Sequence, residues 1–432
     1  MDPPRAPFQI RHTTSKGRAA IATCALPQGT LATQFSTQPY AAVLTNRAQG
    51  QYCAHCFAKQ TNLKTCAQCK TNKYCSTNCQ AADWKPLHKH ECPILATKTL
   101  DTLPEDARAD LLLAARCLWR RHTAPSDADN DFDAMQKGTP TTSEQVMLNR
   151  LSEFGLEAKL FPPNATVDTV TSLLATFNIN NFGILDNLHH VVAAGCYPKA
   201  ALINHSCNPS GVLSFRAKKL QVRLLRPLQA GQELTHSFVD LCDTTQKRRR
   251  YLEQKYNFHC QCERCETPQL VRNMHPDEQL QKLQPLPPGQ DKDTRDEALK
   301  QATTDLAIAK NCPHQPEKAS ALVNRALAAR RNHCGEFSRA RYEAEVAAFT
   351  LALENNKFKL ACDNCQAMVN FLEIALGHVH LHPLLALQRI TLAELLQQTG
   401  KDTLALQHKT KAIHALKITH GNDCDILKII AS

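Results

Sequence analysis

Long apolar runs are missing from this 432-residue chain: nothing in it approaches the eighteen consecutive apolar residues that a membrane-spanning helix requires. None follows Met1 either, because "MDPPRAPFQIRH" is broken by prolines and charge, so the sequence predicts a soluble intracellular protein with no membrane partner. In a reducing compartment disulfides do not persist, and the twenty cysteines then read as metal sites or core thiols. The same setting argues against glycosylation at the two N-x-[ST] matches, Asn164 and Asn204. The length exceeds one ordinary core and predicts two or more domains. A formal net charge of +11 suggests an acidic partner, but three zincs held by eleven thiolates would bring the sum to about +6, so nucleic acid is not required.

What the chain does have is ligand spacing. Between Cys53 and Cys92 lie two CxxC pairs (Cys53 with Cys56, Cys66 with Cys69), then Cys75 and Cys79 four apart, then His88 and Cys92 four apart. Zinc takes four soft or borderline ligands in a tetrahedron, so eight ligands supply two closed, structural sites. The i, i+4 spacing puts each later pair on one helical face, which leaves His90 pointing away and solvated. A segment this short has too little apolar material for a core, so metal binding would supply its folding free energy.

A third group, "FHCQCERC", holds Cys260, Cys262 and Cys265, and a four-coordinate zinc needs one more ligand from elsewhere. The candidate is Cys207 in "LINHSCNPS", where the competing readings are a thiol nucleophile beside its base and the Asn204 sequon. The nucleophile reading explains none of the other cysteines. Turn signals at Lys16-Gly17 and Pro27-Gln28-Gly29 predict short strands in "FQIRHTTSKGRAAIATCALPQGTLATQF".

The C-x2-C, C-x2-C, Y-C-x3-C, H-x3-C pattern resembles a MYND finger. In order along the chain, "SKGRAAIAT", the finger, "NNFGI", "CYPKAALINHSCNPS", "AGQELTHSF", "YNFHCQCERC" and a helical tail resemble the SET and MYND domain (SMYD) family of protein lysine methyltransferases. The resemblance implies an α+β fold: a strand-rich SET core with an inserted MYND zinc finger, a post-SET zinc site and an α-helical (TPR-like) C-terminal domain. It implies interleaved zinc ligands, Cys53, Cys56, Cys75 and Cys79 for one ion, Cys66, Cys69, His88 and Cys92 for the next, and Cys207, Cys260, Cys262 and Cys265 for a third. S-adenosylmethionine (SAM) would meet Lys16, Gly17, Arg18, Asn204 and His205, with Tyr256 and Phe258 as an aromatic wall over cofactor and lysine channel. The implied partners are a protein substrate presenting a lysine, histone or non-histone, and a proline-rich peptide at the finger, whose lysines give it a basic surface.

Three positions depart from that family. Phe238 in "GQELTHSF" stands where the family has a catalytic tyrosine, and losing one preorganised polar group costs on the order of a hundredfold to a thousandfold in rate. Tyr256 or Tyr197 would have to compensate. Ala19 replaces a second loop glycine, and Ser210 replaces an asparagine. The expected activity is SAM-dependent protein-lysine N-methylation, of reduced rate; the alternative is a degenerate SET-MYND adaptor acting through protein contacts.

The expected division is 1–50 (N-terminal part of SET), 51–92 (finger), 93–180 (insert), 181–242 (SET core), 243–270 (post-SET) and 271–432 (helical tail). Within the insert, "TAPSDADNDFDAMQKGTPTTS" lacks apolar periodicity and predicts a loop or disordered stretch. The basic run "QKRRRYLEQK" predicts a helix capped by Asp243 or Thr244 and leading to the third cysteine group, although such a run also suits nuclear entry, leaving location cytoplasmic and/or nuclear. Gly400 and Gly421 are expected helix stops, and Cys362 and Cys365 packed thiols within a helix.

Overall fold

The computed structural model describes residues 6–13, 17–266, 276–286, 289, 291–312 and 314–431. Lys16 therefore lies outside the described residues, as do parts of the expected post-SET segment and the linker after it. The chain divides into two compact units, residues 1–204 with 213–234, and residues 205–212 with 235–432.

The first unit carries strands β1 (Phe8–Thr13), β2 (Gly17–Ala22), β3 (Ala41–Leu44), β4 (Lys64–Thr65), β5 (Lys73–Tyr74), β6 (Asn181–Leu185) and β7 (Val191–Cys196). Its helices are α1 (Thr77–Asp83), α2 (Lys89–Thr97), α3 (Glu105–Thr123), α4 (Ala128–Asp133), α5 (Thr142–Glu157) and α6 (Val167–Asn180). β8 (Asn204–His205), β9 (Gly211–Arg216), β10 (Lys219–Leu224) and β11 (Glu233–His236) follow. β1 and β2 form an antiparallel pair that closes on Thr13 opposite Gly17, whose φ of +67° is cheap for glycine alone. β11 adds to the far side of β2, Glu233 opposite Ile21 and Leu234 opposite Ala20.

A second antiparallel sheet runs β3-β7-β6. Gly195 at its centre is required by packing, since a Cβ there would lie 2.7 Å from the Tyr197 ring and 3.0 Å from Ile184. α3 lies against this sheet and against α6. Its "LLLAARC" segment is buried all round, and each fully buried leucine contributes about 1.5–3 kcal/mol to the core.

The stretch expected to be a loop is partly ordered. It contains α4, and both Phe132 and Met135 are buried, with the Phe132 ring stacked on Tyr40 at 4.6 Å. These apolar contacts, together with the Arg121–Asp133 pair at 2.6 Å and the Asn180 amide on the Gln136 carbonyl at 2.8 Å, pin a segment that has no periodicity of its own. His90 is half-buried rather than fully solvated: its ring stacks on Trp119 at 3.6 Å and 10°. The side of α2 that carries His90 meets Trp119 of α3, a partner that helical periodicity cannot reveal.

The second unit contains α7 (Thr245–Tyr256), α8 (Glu263–Glu266), α9 (Pro276–Gln281), α10 (Lys292–Lys310), α11 (Pro316–His333), α12 (Arg339–Glu354), α13 (Phe358–Ala375), α14 (Pro383–Gln398), α15 (Asp402–His420) and α16 (Asp425–Ala431). From α10 to α15 each helix packs on the next, the arrangement of helix-pair repeats. Gly400 and Gly421 follow α14 and α15 with φ of +75° and +89°. Cys362 and Cys365 are buried on α13, and Gln388 donates to the Cys365 sulfur at 3.0 Å. Arg264 ties the α8 segment to this stack through the Leu241 and Ala375 carbonyls at 3.0 and 3.3 Å.

Candidate functional site

Folding brings the expected ligands together in three sets, of which the two in the finger interleave. The ligand atoms of Cys53, Cys56, Cys75 and Cys79 lie within 4.8 Å of one another, as do those of Cys66, Cys69, His88 and Cys92, and those of Cys207, Cys260, Cys262 and Cys265. Neighbouring sulfurs stand 3.7 Å apart for Cys56 and Cys75, 3.5 Å for Cys75 and Cys79, and 3.8 Å for Cys66 and Cys92. These are not disulfide lengths. A tetrahedron with metal–sulfur bonds of about 2.3 Å has edges of about 3.8 Å, so the donor sets fit zinc in both chemistry and size.

The local fold explains the placement. Ser76 caps α1 by accepting the Cys79 N–H at 3.1 Å, fixing the turn that carries Cys75 and Cys79. His88 turns Nε2 toward Cys69 at 3.7 Å and Nδ1 toward Glu91 at 3.1 Å. Glu91 is in turn held by Arg116 of α3, whose Nε donates to it at 2.9 Å and whose Nη1 donates to the Ala42 carbonyl at 3.0 Å. Asp83 completes the group, accepting the Tyr74 hydroxyl at 2.8 Å. Although Asp83, His88 and Glu91 also lie close enough to hold an ion, the two carboxylates already belong to Arg116. Glu91 is held far below the usual carboxylate range: burial works against its charge, and the Arg116 guanidinium outweighs it.

The third set sits at the end of α7. Thr244, one of the two expected caps, accepts the Lys247 N–H at 3.3 Å. From that start Arg248 points inward, only 1% exposed, with Nε 3.2 Å from the Cys207 sulfur and Nη2 3.7 Å from that of Cys265. Arg249 donates to the Cys260 carbonyl at 3.0 Å. The basic run is thus a brace for the cysteines on one side. Arg248 was not singled out from the sequence; its i, i+4 alignment with buried Leu252 was the available signal.

The positions expected around a cofactor divide between the units. Gly17, Arg18 and Asn204 belong to the first. There the Asn204 Nδ2 donates to the Arg18 carbonyl at 2.6 Å and to Glu233 at 2.8 Å, which uses both of its amide protons. The Arg18 guanidinium donates to the Ala134 carbonyl. Ala19 lies in β2 opposite Arg11 rather than in a turn, so no positive φ is demanded of it.

His205, Phe238, Tyr256 and Phe258 belong to the second unit and meet there. The Phe238 N–H donates to His205 Nδ1 at 2.9 Å, so the ring proton of a neutral imidazole sits on Nε2, 3.2 Å from the Cys207 sulfur. His205 therefore ties the cysteine set to the Phe238 backbone. Ring centroids stand 5.2 Å apart for His205 and Phe238, 4.8 Å for Phe238 and Tyr256, and 6.5 Å for Tyr256 and Phe258. His236 adds a fifth ring, 4.8 Å from Phe238, its Nδ1 donating to the Ser237 carbonyl at 3.1 Å. Burial pushes the His236 imidazole down to about 4 and the Tyr256 phenol up to about 12.

Of the two tyrosines considered as compensation for Phe238, Tyr197 donates its hydroxyl to the Lys218 carbonyl at 2.6 Å. The Tyr256 hydroxyl has no hydrogen-bond partner among the described residues. Ser210, the other departure, is fully buried and accepts the Thr235 N–H at 2.9 Å, a hydrogen bond that holds the NHSC loop on β11.

Residues 53–92 match the family model for the MYND finger. The chain carries a MYND finger. It is also 30% identical over 240 residues to the human N-lysine methyltransferase SMYD2, 54% of each chain, and 29% identical over 261 residues to SMYD2-B of Xenopus laevis, 59% of each. The chain thus spans a little over half the length of the curated relatives it matches. The finger and this similarity together support a SMYD-family assignment and the mixed α+β fold that goes with it. Among the described residues no helix is long and apolar enough to cross a membrane.

Proposed function

We propose that the protein is a SAM-dependent protein-lysine N-methyltransferase whose turnover is lowered by Phe238. The observation that carries this reading is the cluster of His205, Phe238, Tyr256 and Phe258, fixed through His205 to the Cys207 sulfur. A lysine ammonium must shed its proton before it can accept a methyl group, and a wall of rings promotes that by disfavouring the charged form. SAM, when bound, supplies a sulfonium methyl. The residues that would hold it are Lys16, Gly17, Arg18, Asn204, His205, Tyr256 and Phe258, with Asn204 and His205 serving its amino-acid end and purine. Tyr256, neutral at physiological pH, is the hydroxyl left to orient the amine. Three structural zincs in the three ligand sets, and the six-part division given above, belong to the same proposal, as does a cytoplasmic or nuclear location.

SAM titration by calorimetry, paired with transfer of tritiated methyl to histones and to the protein itself, tests it. We expect SAM binding, slow labelling, and a rise of roughly a hundredfold in Phe238→Tyr. Brisk wild-type labelling unchanged by the substitution removes the proposed defect, and absence of SAM binding favours an adaptor instead. A proline-rich peptide is the proposed partner of the finger, supported by a cavity of about 260 Å³ that Tyr40, His55, Phe57, Pro86 and Leu87 help to line.

A further inference from the structure

On the side of the finger that carries the Lys70–Lys73 loop lies a second cavity, of about 400 Å³, lined by Asn46, Gln49, Gly50, Thr71 and a set of cations. Lys70, Lys73, Lys98 and Arg108 face it against a single carboxylate, Asp101, which is already 3.5 Å from the Arg108 guanidinium. Among the described residues none of the three lysines is paired with a carboxylate. Lys98 donates to Thr71 Oγ1 at 2.9 Å, which holds its ammonium over the cavity. Gly50, at a φ of +92°, leaves room for the Lys73 ammonium, which a Cβ would approach to 3.3 Å.

Like charges gathered around one concavity repel one another, and the arrangement persists at a cost unless an anion relieves it. Backbone conformation fixes where two of these lysines start. Lys70 and Lys98 both sit in the left-handed region, at φ of +54° and +61°, where glycine or asparagine is less strained. Lys98 follows the C-terminus of α2, where a cation is favourable in any case. Lys70 closes the turn after Cys69 with its N–H on the Cys66 carbonyl, as Phe57 does after Cys56 with its N–H on the Cys53 carbonyl.

We propose that this cavity binds the phosphate monoester of a phosphorylated side chain on a protein partner. A dianion matches three ammonium groups and a guanidinium better than a carboxylate does. A single-stranded nucleic acid fits less well, because no aromatic side chain lines the cavity to stack a base and its cations converge on one point rather than tracking a strand.

The test uses the full zinc-loaded chain and three probes: a glycine-alanine peptide with one central phosphoserine, the same peptide unphosphorylated, and a twelve-nucleotide thymidine strand. Binding is read by fluorescence anisotropy. The phosphopeptide is expected to bind at least tenfold tighter than its unmodified form, and to lose at least tenfold in affinity in both Lys70→Gly and Lys98→Glu. Zinc content and thermal midpoint are measured alongside; Lys70→Gly relieves the backbone, so it is expected to stay folded while losing binding. Equal affinity for the two peptides, binding untouched by both substitutions, or a thymidine strand that binds and is not displaced by the phosphopeptide would each overturn the assignment.

Discussion

At the scale of single residues, the two histidines beside Phe238 differ in what they are tied to. His205 is engaged on both nitrogens, whereas His236 is buried and held neutral, its pKa lowered from the ordinary 6.5 to about 4. A group neutral in the fold but protonated in the unfolded chain makes stability fall as pH drops from about 6.5 toward 4, where the unfolded state takes up a proton the fold refuses. We predict that the thermal midpoint of wild type drops more over this window than that of His236→Phe, and that the difference between the two proteins is constant above pH 6.5. Scanning calorimetry at half-unit steps checks it, and parallel curves would refute it. Arg116 gives a second residue-scale prediction. Its replacement by methionine strands Glu91 and Asp83 without their cation, an uncompensated buried charge that costs about 3–5 kcal/mol in denaturant unfolding. The paired change of Arg116→Met with Glu91→Gln is expected to recover part of that loss.

At the scale of elements, α7 links a cap to a cysteine set. Removing the Thr244 hydroxyl in Thr244→Ala costs about 1 kcal/mol of helix stability and loosens the start from which Arg248 reaches Cys207. The expected readout is faster release of one zinc equivalent to a chromogenic chelator, with the other two unaffected. α7 was legible in advance because its signals are local: a capping threonine and a basic run. So was the cysteine spacing, since ligand chemistry fixes separation along a helix or knuckle. The surroundings of His90 and the order within residues 123–143 were not legible. Both depend on what packs from far along the chain, Trp119 in one case and Tyr40 in the other, and periodicity carries no record of such partners. The brace of Glu91 and Arg116 was hidden for the same reason, since a buried charged pair 25 residues apart looks in sequence like two solvated side chains.

At the scale of the molecule, twelve ligand positions are spread over both units, eight in the first and four in the second. Mass spectrometry under native conditions is predicted to give three zinc ions per chain. Because both finger sites lie on a segment with little apolar core of its own, strong chelation should unfold residues 53–92, while the helices from α10 to α15 keep their far-ultraviolet dichroism. Loss of the whole helical signal on chelation would show that the stack does not stand without metal.

The anchoring of Glu91 by Arg116 bears on how the finger can be handled at the bench. A recombinant piece ending near Cys92 would leave behind the guanidinium that steadies its histidine, and would carry an unscreened carboxylate in its place. Peptide arrays or pull-downs run with such a fragment would report on a molecule whose surface charge and histidine orientation differ from those of the intact protein.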